Sequence, residues 1–126
     1  MKRELYVTSK AFPDGTRLIG ILSEVAGEYQ FEYKLGGYIP EWFLVIDEFP
    51  DVSKRYNGSQ VEKFVKRIIP KKDGLYTNEL LEGANLKEYD IWEMLKVFGL
   101  RNMREDAYLH ETLPEGAIIY EEMEAT

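Results

Sequence analysis

The chain has 126 residues and a mass of 14.7 kDa, a size for one domain over residues 1–126 that buries about two-thirds of its extended surface without needing covalent staples. It has no Cys, which excludes a disulfide framework, a thiolate metal site and a Cys nucleophile and fits a reducing cytoplasm. No apolar run approaches the ~18 residues of a membrane span, and the opening Met-Lys-Arg-Glu-Leu-Tyr-Val has no secretory apolar stretch, so a soluble cytoplasmic chain with no membrane partner is expected.

The first third reads as strands and hairpins. Leu5, Tyr6, Val7 and Thr8 are β-prone, and Phe12-Pro13-Asp14-Gly15 supplies turn chemistry, with Pro fixing φ and Gly tolerating positive φ. A β-rich run over 17–25 follows, then Ala26-Gly27 as a turn, then Tyr29 to Tyr33. In that last run aromatic and polar residues alternate, which places Tyr29, Phe31 and Tyr33 on one face, toward the core. The segment 35–40 breaks regularity. Trp42 to Ile46 is an uninterrupted apolar run, expected as a buried strand. Phe49-Pro50-Asp51 and Asn57-Gly58 bracket an irregular stretch.

The helices come next. Ser59 is an expected N-cap, with Glu62 three residues on to complete a capping box. Val61, Phe64, Val65 and Ile68 then form one apolar stripe, Lys63, Lys66 and Arg67 occupy another face, and Pro70 ends the helix. Residues 75–81 suit a second short helix. Residues 86–98 suit a third, with Ile91, Leu95 and Phe98 as its stripe and Gly99 as a left-handed C-terminal cap. Two late strands, 107–110 and 117–120, are expected to be joined through Leu113-Pro114-Glu115-Gly116, with 121–126 as a polar, frayed end. This order implies an α+β fold with a mainly antiparallel sheet, N-terminal hairpins, two or three helices packed on it and late C-terminal strands.

The residue types point away from catalysis. His110 is the single histidine, so a histidine-based metal site would need carboxylates for every other protein ligand; it reads as structural or exposed. The serines sit in no nucleophile elbow, and no phosphate-binding glycine loop is present; Gly36-Gly37 reads as a bend. Asp47/Glu48, Glu105/Asp106 and Glu121/Glu122 are sequence neighbours, which on a strand point to opposite faces and so make no acid–base dyad. No catalytic, cofactor-binding or metal-ligating residue is therefore assigned, and no cofactor is expected.

Binding is the better-supported class. The net charge of −7 is uneven: residues 1–73 hold 12 basic and 11 acidic groups, and residues 74–126 hold 4 and 12. Between Ser53 and Lys72, seven basic residues face Glu62 alone. Lys54, Arg55, Lys63, Lys66 and Arg67 are thus candidate partner contacts, for phosphates or an acidic protein surface, against the plainer reading of a solvated helix face. Trp42 is a candidate anchor because Trp is enriched at interface hot spots, although Trp42 and Trp92 both lie in apolar patterns that suit core packing.

The hairpin from Leu18-Ile19-Gly20-Ile21-Leu22-Ser23 to Tyr29-Gln30-Phe31-Glu32-Tyr33, the helix ending in Ile68-Ile69-Pro70 and the later Tyr89-Asp90-Ile91-Trp92-Glu93-Met94-Leu95 resemble the N-terminal subdomain of HipA-type serine/threonine kinases over residues 4–115. The stretch Phe49-Pro50-Asp51-Val52-Ser53-Lys54-Arg55-Tyr56 is similar to a leader ahead of bacterial HIRAN domains. The resemblance implies no kinase activity, since the phosphate loop, catalytic Asp and metal ligands of those kinases belong to a core outside this subdomain. It implies a HipS-like stand-alone form, an antitoxin or regulatory subunit that docks on a HipA-like kinase toxin, with a helix-turn-helix DNA-binding subunit as a further partner. The alternative is a HIRAN-associated accessory protein that binds nucleic acid through the basic helix face. An acidic nucleic-acid mimic built on residues 74–126 is the weaker third reading.

Overall fold

The computed structural model describes residues 2–36, 39–101 and 106–119. Its centre is a five-stranded antiparallel sheet of strands β1 (Lys2–Ser9), β2 (Arg17–Val25), β3 (Glu28–Tyr33), β4 (Arg55–Asn57) and β5 (Tyr108–His110), in the order β4-β3-β2-β1-β5. The first four strands are laid down in sequence and the last returns to the free side of β1. Both outer strands are three residues long. With helices and irregular segments on the remaining chain, the fold is α+β, as the sequence pattern implies.

Period-two alternation decides the two faces. Leu5, Leu22, Phe31 and Tyr56 are direct cross-strand partners, and all four are buried. The neighbouring row, Tyr6, Ile21, Glu32 and Arg55, stands on the other face, and these four are half-exposed to exposed. The β2–β3 turn has Ala26 at φ 52° and Gly27 at φ 84°, the pair of positive angles that a two-residue hairpin needs to match strand twist. Gly20 is required by packing: a Cβ there would stand 2.5 Å from the Phe31 ring and 2.9 Å from the Glu32 carbonyl oxygen.

Helix α1 (Ser59–Ile68) lays Val61, Phe64 and Val65 onto the buried face of the sheet. There Phe31 and Phe49 stack at 4.4 Å between ring centroids, and Phe64 meets Phe49 at 5.2 Å. Ile68 is only half buried. The expected capping box is absent. Gly58, at φ 67°, is the N-cap and no side chain bonds to the first turn, because the sharp turn out of β4 requires a left-handed residue at that position. Helix α2 (Thr77–Gly83) starts two residues later than the expected 75–81 and turns Thr77 and Leu81 inward.

Helix α3 (Ile91–Phe98) begins where the Asp90 carboxylate accepts the Glu93 backbone N–H at 3.1 Å, so it is shorter than the expected 86–98. It buries Trp92, Met94 and Leu95, while Ile91 and Phe98 are half-buried. Gly99 is not a left-handed cap. Its φ is −64° and the chain continues into a 3₁₀ turn, Gly99–Arg101. Glycine is needed there because a Cβ would lie 2.7 Å from the Leu109 Cβ.

Three further expectations are corrected. Residues 42–46 form no strand; they belong to a loop in which Ile46 is buried while Trp42 and Leu44 face solvent. The irregular stretch after Pro50 contains β4. Of the second late strand, Ile118 makes a single parallel bridge to Arg17, its N–H bonding to the Thr16 carbonyl and its carbonyl accepting the Leu18 N–H, each at 2.9 Å. Tyr120 and the 121–126 tail lie outside the described residues.

Candidate functional site

The basic residues singled out by sequence do not act as one free surface. Lys63 and Lys66 are exposed on α1. Arg67, on the same helix, folds back onto Glu48, its Nε and one terminal nitrogen donating to the two carboxylate oxygens at 2.8 and 2.7 Å. Arg55 pairs across strands with Glu32 at 2.7 Å, and Glu32 is also bound by Lys34 at 2.6 Å. Lys34 first, and Arg55 with it, hold the Glu32 carboxyl below the usual carboxylate range. Lys54 stands 4.0 Å from the Asp51 carboxylate, whose other oxygen accepts from both the backbone N–H and the hydroxyl of Ser53. Three of the five candidate cations are thus matched by carboxylates before any partner arrives.

Trp42 is placed differently from its expected core position: half its surface, 51%, is exposed. The indole stands on Phe12, 5.0 Å between centroids in an edge-to-face arrangement. Phe12 is buried and has the Arg17 guanidinium over its ring at 4.7 Å. Arg17 is itself fully buried and donates to the Leu35 carbonyl. The next residue, Phe43, packs against Phe12 at 6.0 Å and Tyr33 at 6.3 Å.

The backbone of this loop is fixed from β3. The Tyr33 hydroxyl donates to the Phe49 carbonyl at 2.7 Å and accepts the Ile46 N–H at 3.0 Å. The Phe49 N–H closes back on the Ile46 carbonyl at 2.8 Å, and the Phe43 N–H on the Pro40 carbonyl at 3.0 Å. Ile46 and Phe49 are buried by this clamp, whereas Ile39, Trp42 and Leu44 face out, Leu44 at 59% exposed. An ordered loop with apolar side chains toward water can bury them against a partner with little further ordering cost. Sequence reading singled out Trp42 alone. Ile39 and Leu44, and the supports Phe12, Arg17 and Tyr33, were missed because nothing local marks which side of an apolar run faces solvent.

Trp92 does pack in the core, with the Arg3 guanidinium 4.9 Å over its ring. His110 sits in a polar group at the end of β1. Its Nε2 shares a 2.9 Å hydrogen bond with the fully buried Thr8 hydroxyl; beside it, the Ser9 hydroxyl and the Lys10 backbone N–H both donate to one Asp106 carboxylate oxygen at 2.9 Å. Burial first, then the Lys10 charge, push His110 below its ordinary pKa, and burial with the nearby Asp106 pushes Tyr108 up. These bonds fasten β5 to β1. A shallow cavity of about 210 Å³ opens on the far face of the sheet among Glu4, Ser23, Gln30, Glu32 and Arg55, where Lys2 pairs with Glu4 at 3.3 Å and Glu32 is paired as above. Among the described residues, no group of three or more His, Asp or Glu is arranged to hold a metal ion, and no helix is long and apolar enough to cross a membrane.

In comparisons with protein-family models, curated proteins and solved structures, none matches this chain.

Proposed function

We propose that this chain is a non-enzymatic protein-binding module that docks through the loop carrying Trp42, and that its partner is a HipA-like serine/threonine kinase which it restrains in the cytoplasm as an antitoxin or regulatory subunit. The observation that carries the docking is the half-exposed indole of Trp42 held on Phe12, with Leu44 exposed two residues on. A rigid aromatic anchor of this kind is what interface hot spots are made from. The kinase as partner rests on the segment resemblance described above. Pairing of Arg55 with Glu32 and of Arg67 with Glu48 favours this reading over nucleic-acid binding, which depends on cations available to displace counterions from phosphates.

The test is titration of the purified chain into a HipA-like kinase from the same genome, followed by calorimetry and kinase assay. A saturable complex with reduced kinase activity is expected. Replacing Trp42→Ala together with Leu44→Ser should weaken it at least about tenfold, while the melting temperature falls by no more than about 6 °C for the lost ring contact with Phe12. Absence of a complex at micromolar concentrations, or a complex indifferent to both substitutions, refutes the reading. So does a gel shift with DNA that disappears on charge reversal of Lys63 and Lys66.

A further inference from the structure

A second apolar surface lies on α2, away from the Trp42 loop in sequence and held by different contacts. Leu75 is 85% exposed, Tyr76 62% and Leu80 43%. Helical spacing explains why α2 has two apolar sides. Thr77 and Leu81, one turn apart, face the protein and are buried, whereas Tyr76 and Leu80, also one turn apart, are rotated by about 100° and face water. Folding uses the first pair only. Leu75, in the turn that enters the helix, adds a third exposed apolar side chain next to Tyr76 in sequence.

The charges around the strip have one sign. From Asp73 to Asp90 the chain has five acidic residues and a single basic one, Lys87, all exposed. Among the described residues none of these five carboxylates, Asp73, Glu79, Glu82, Glu88 and Asp90, forms an ion pair. This contrasts with Glu32 and Glu48, which are matched within the fold. We infer that the Leu75–Tyr76–Leu80 strip with its acidic flank is a second docking surface, for a cationic amphipathic helix of a protein partner.

An apolar strip about one and a half turns long is the complement of an i, i+3, i+4, i+7 stripe, and unpaired carboxylates beside it favour Lys or Arg on the flanks of that stripe. A second copy of this chain fits poorly. The net charge is −7, and the exposed apolar Trp42 loop is itself flanked by exposed Glu41, so pairing the strip with that loop of a second copy would bring like charges together. An anionic lipid surface is disfavoured by the same repulsion.

The probe is a synthetic helical peptide of about 18 residues with Leu on one stripe and Lys elsewhere, titrated into the full chain by fluorescence anisotropy, alongside a peptide in which every Lys is Glu. Saturable one-to-one binding of the cationic peptide is expected, weakened at least tenfold by Leu75→Ser with Leu80→Ser. Glu79→Gln with Glu82→Gln should weaken it severalfold and flatten its dependence on salt. All four positions are exposed, and a thermal melt checks that each variant is folded. Trp42→Ala should leave peptide binding unchanged, which separates this surface from the kinase-docking loop, so either reading can fail alone. No saturable binding, equal binding of the Glu peptide, or binding unaffected by the two Leu substitutions overturns the inference. A dimer in sedimentation that the same two substitutions abolish also overturns it, by giving the surface to a second copy.

Discussion

Removing one oxygen atom, by Tyr33→Phe, should loosen the docking loop without disturbing the aromatic core around it. The ring stays packed against Phe31 at 4.9 Å and Phe43 at 6.3 Å. What is lost is the pair of hydrogen bonds to the Phe49 carbonyl and from the Ile46 N–H, both buried. A buried backbone group deprived of its partner costs about 1–3 kcal/mol, so the two together should cost about 2–6 kcal/mol. For a chain of this length 1 kcal/mol corresponds to about 4 °C, giving a fall in melting temperature of about 8–24 °C. Urea unfolding should show a lower midpoint with an unchanged slope, since no additional surface is exposed on unfolding. Amide exchange at Ile46 should accelerate more than exchange in β1 and β2. A variant within about 0.5 kcal/mol of the parent, with the Ile46 amide still protected, would show that the loop is held by something other than this hydroxyl.

Two further outcomes follow from the charged groups. The bidentate Arg67–Glu48 pair has side chains 18% and 14% exposed, so a double-mutant cycle with Arg67→Ala and Glu48→Ala should give a coupling of about 1–2 kcal/mol. Lys63→Ala and Lys66→Ala should each stay within about 0.5 kcal/mol; a coupling indistinguishable from zero would return Arg67 to the solvated face. His110 has a folded-state pKa below the ordinary 6.5 because of burial and then Lys10. Its neutral form therefore belongs to the folded state, and its contribution is complete above that value and lost as pH falls through the folded-state pKa. His110→Gln, which keeps a hydrogen-bonding group near Thr8, should flatten the decline in melting temperature between about pH 7 and pH 5. An unchanged slope counts against a half-buried neutral imidazole.

The hairpins were legible because two independent signals coincide in them. Alternation in Tyr29 to Tyr33 sets the face, and Ala26-Gly27 sets the turn, so register is determined twice. Tyr29 is nevertheless only partly buried, since it lies beside the turn at the tip of the hairpin. The run from Trp42 to Ile46 was misread because an apolar stretch specifies burial of its residues on average and not the path of its backbone. Here the backbone is bonded to a tyrosine hydroxyl 13 residues upstream, a long-range contact with no local trace. Arg17 was unreadable for the converse reason: a charged residue type reads as exposed, yet it is fully buried over Phe12. Arg67 belonged to the right helix face, but its carboxylate partner lies 19 residues away. The capping box at Ser59 failed because the turn at Gly58 took the cap position first.

With each outermost strand limited to three residues, each offers a neighbouring copy only a short edge on which to continue the ladder. Concentrated solutions should accordingly be insensitive to fibre seeding, and any loss of solubility would trace to greasy side chains rather than to strand-by-strand growth.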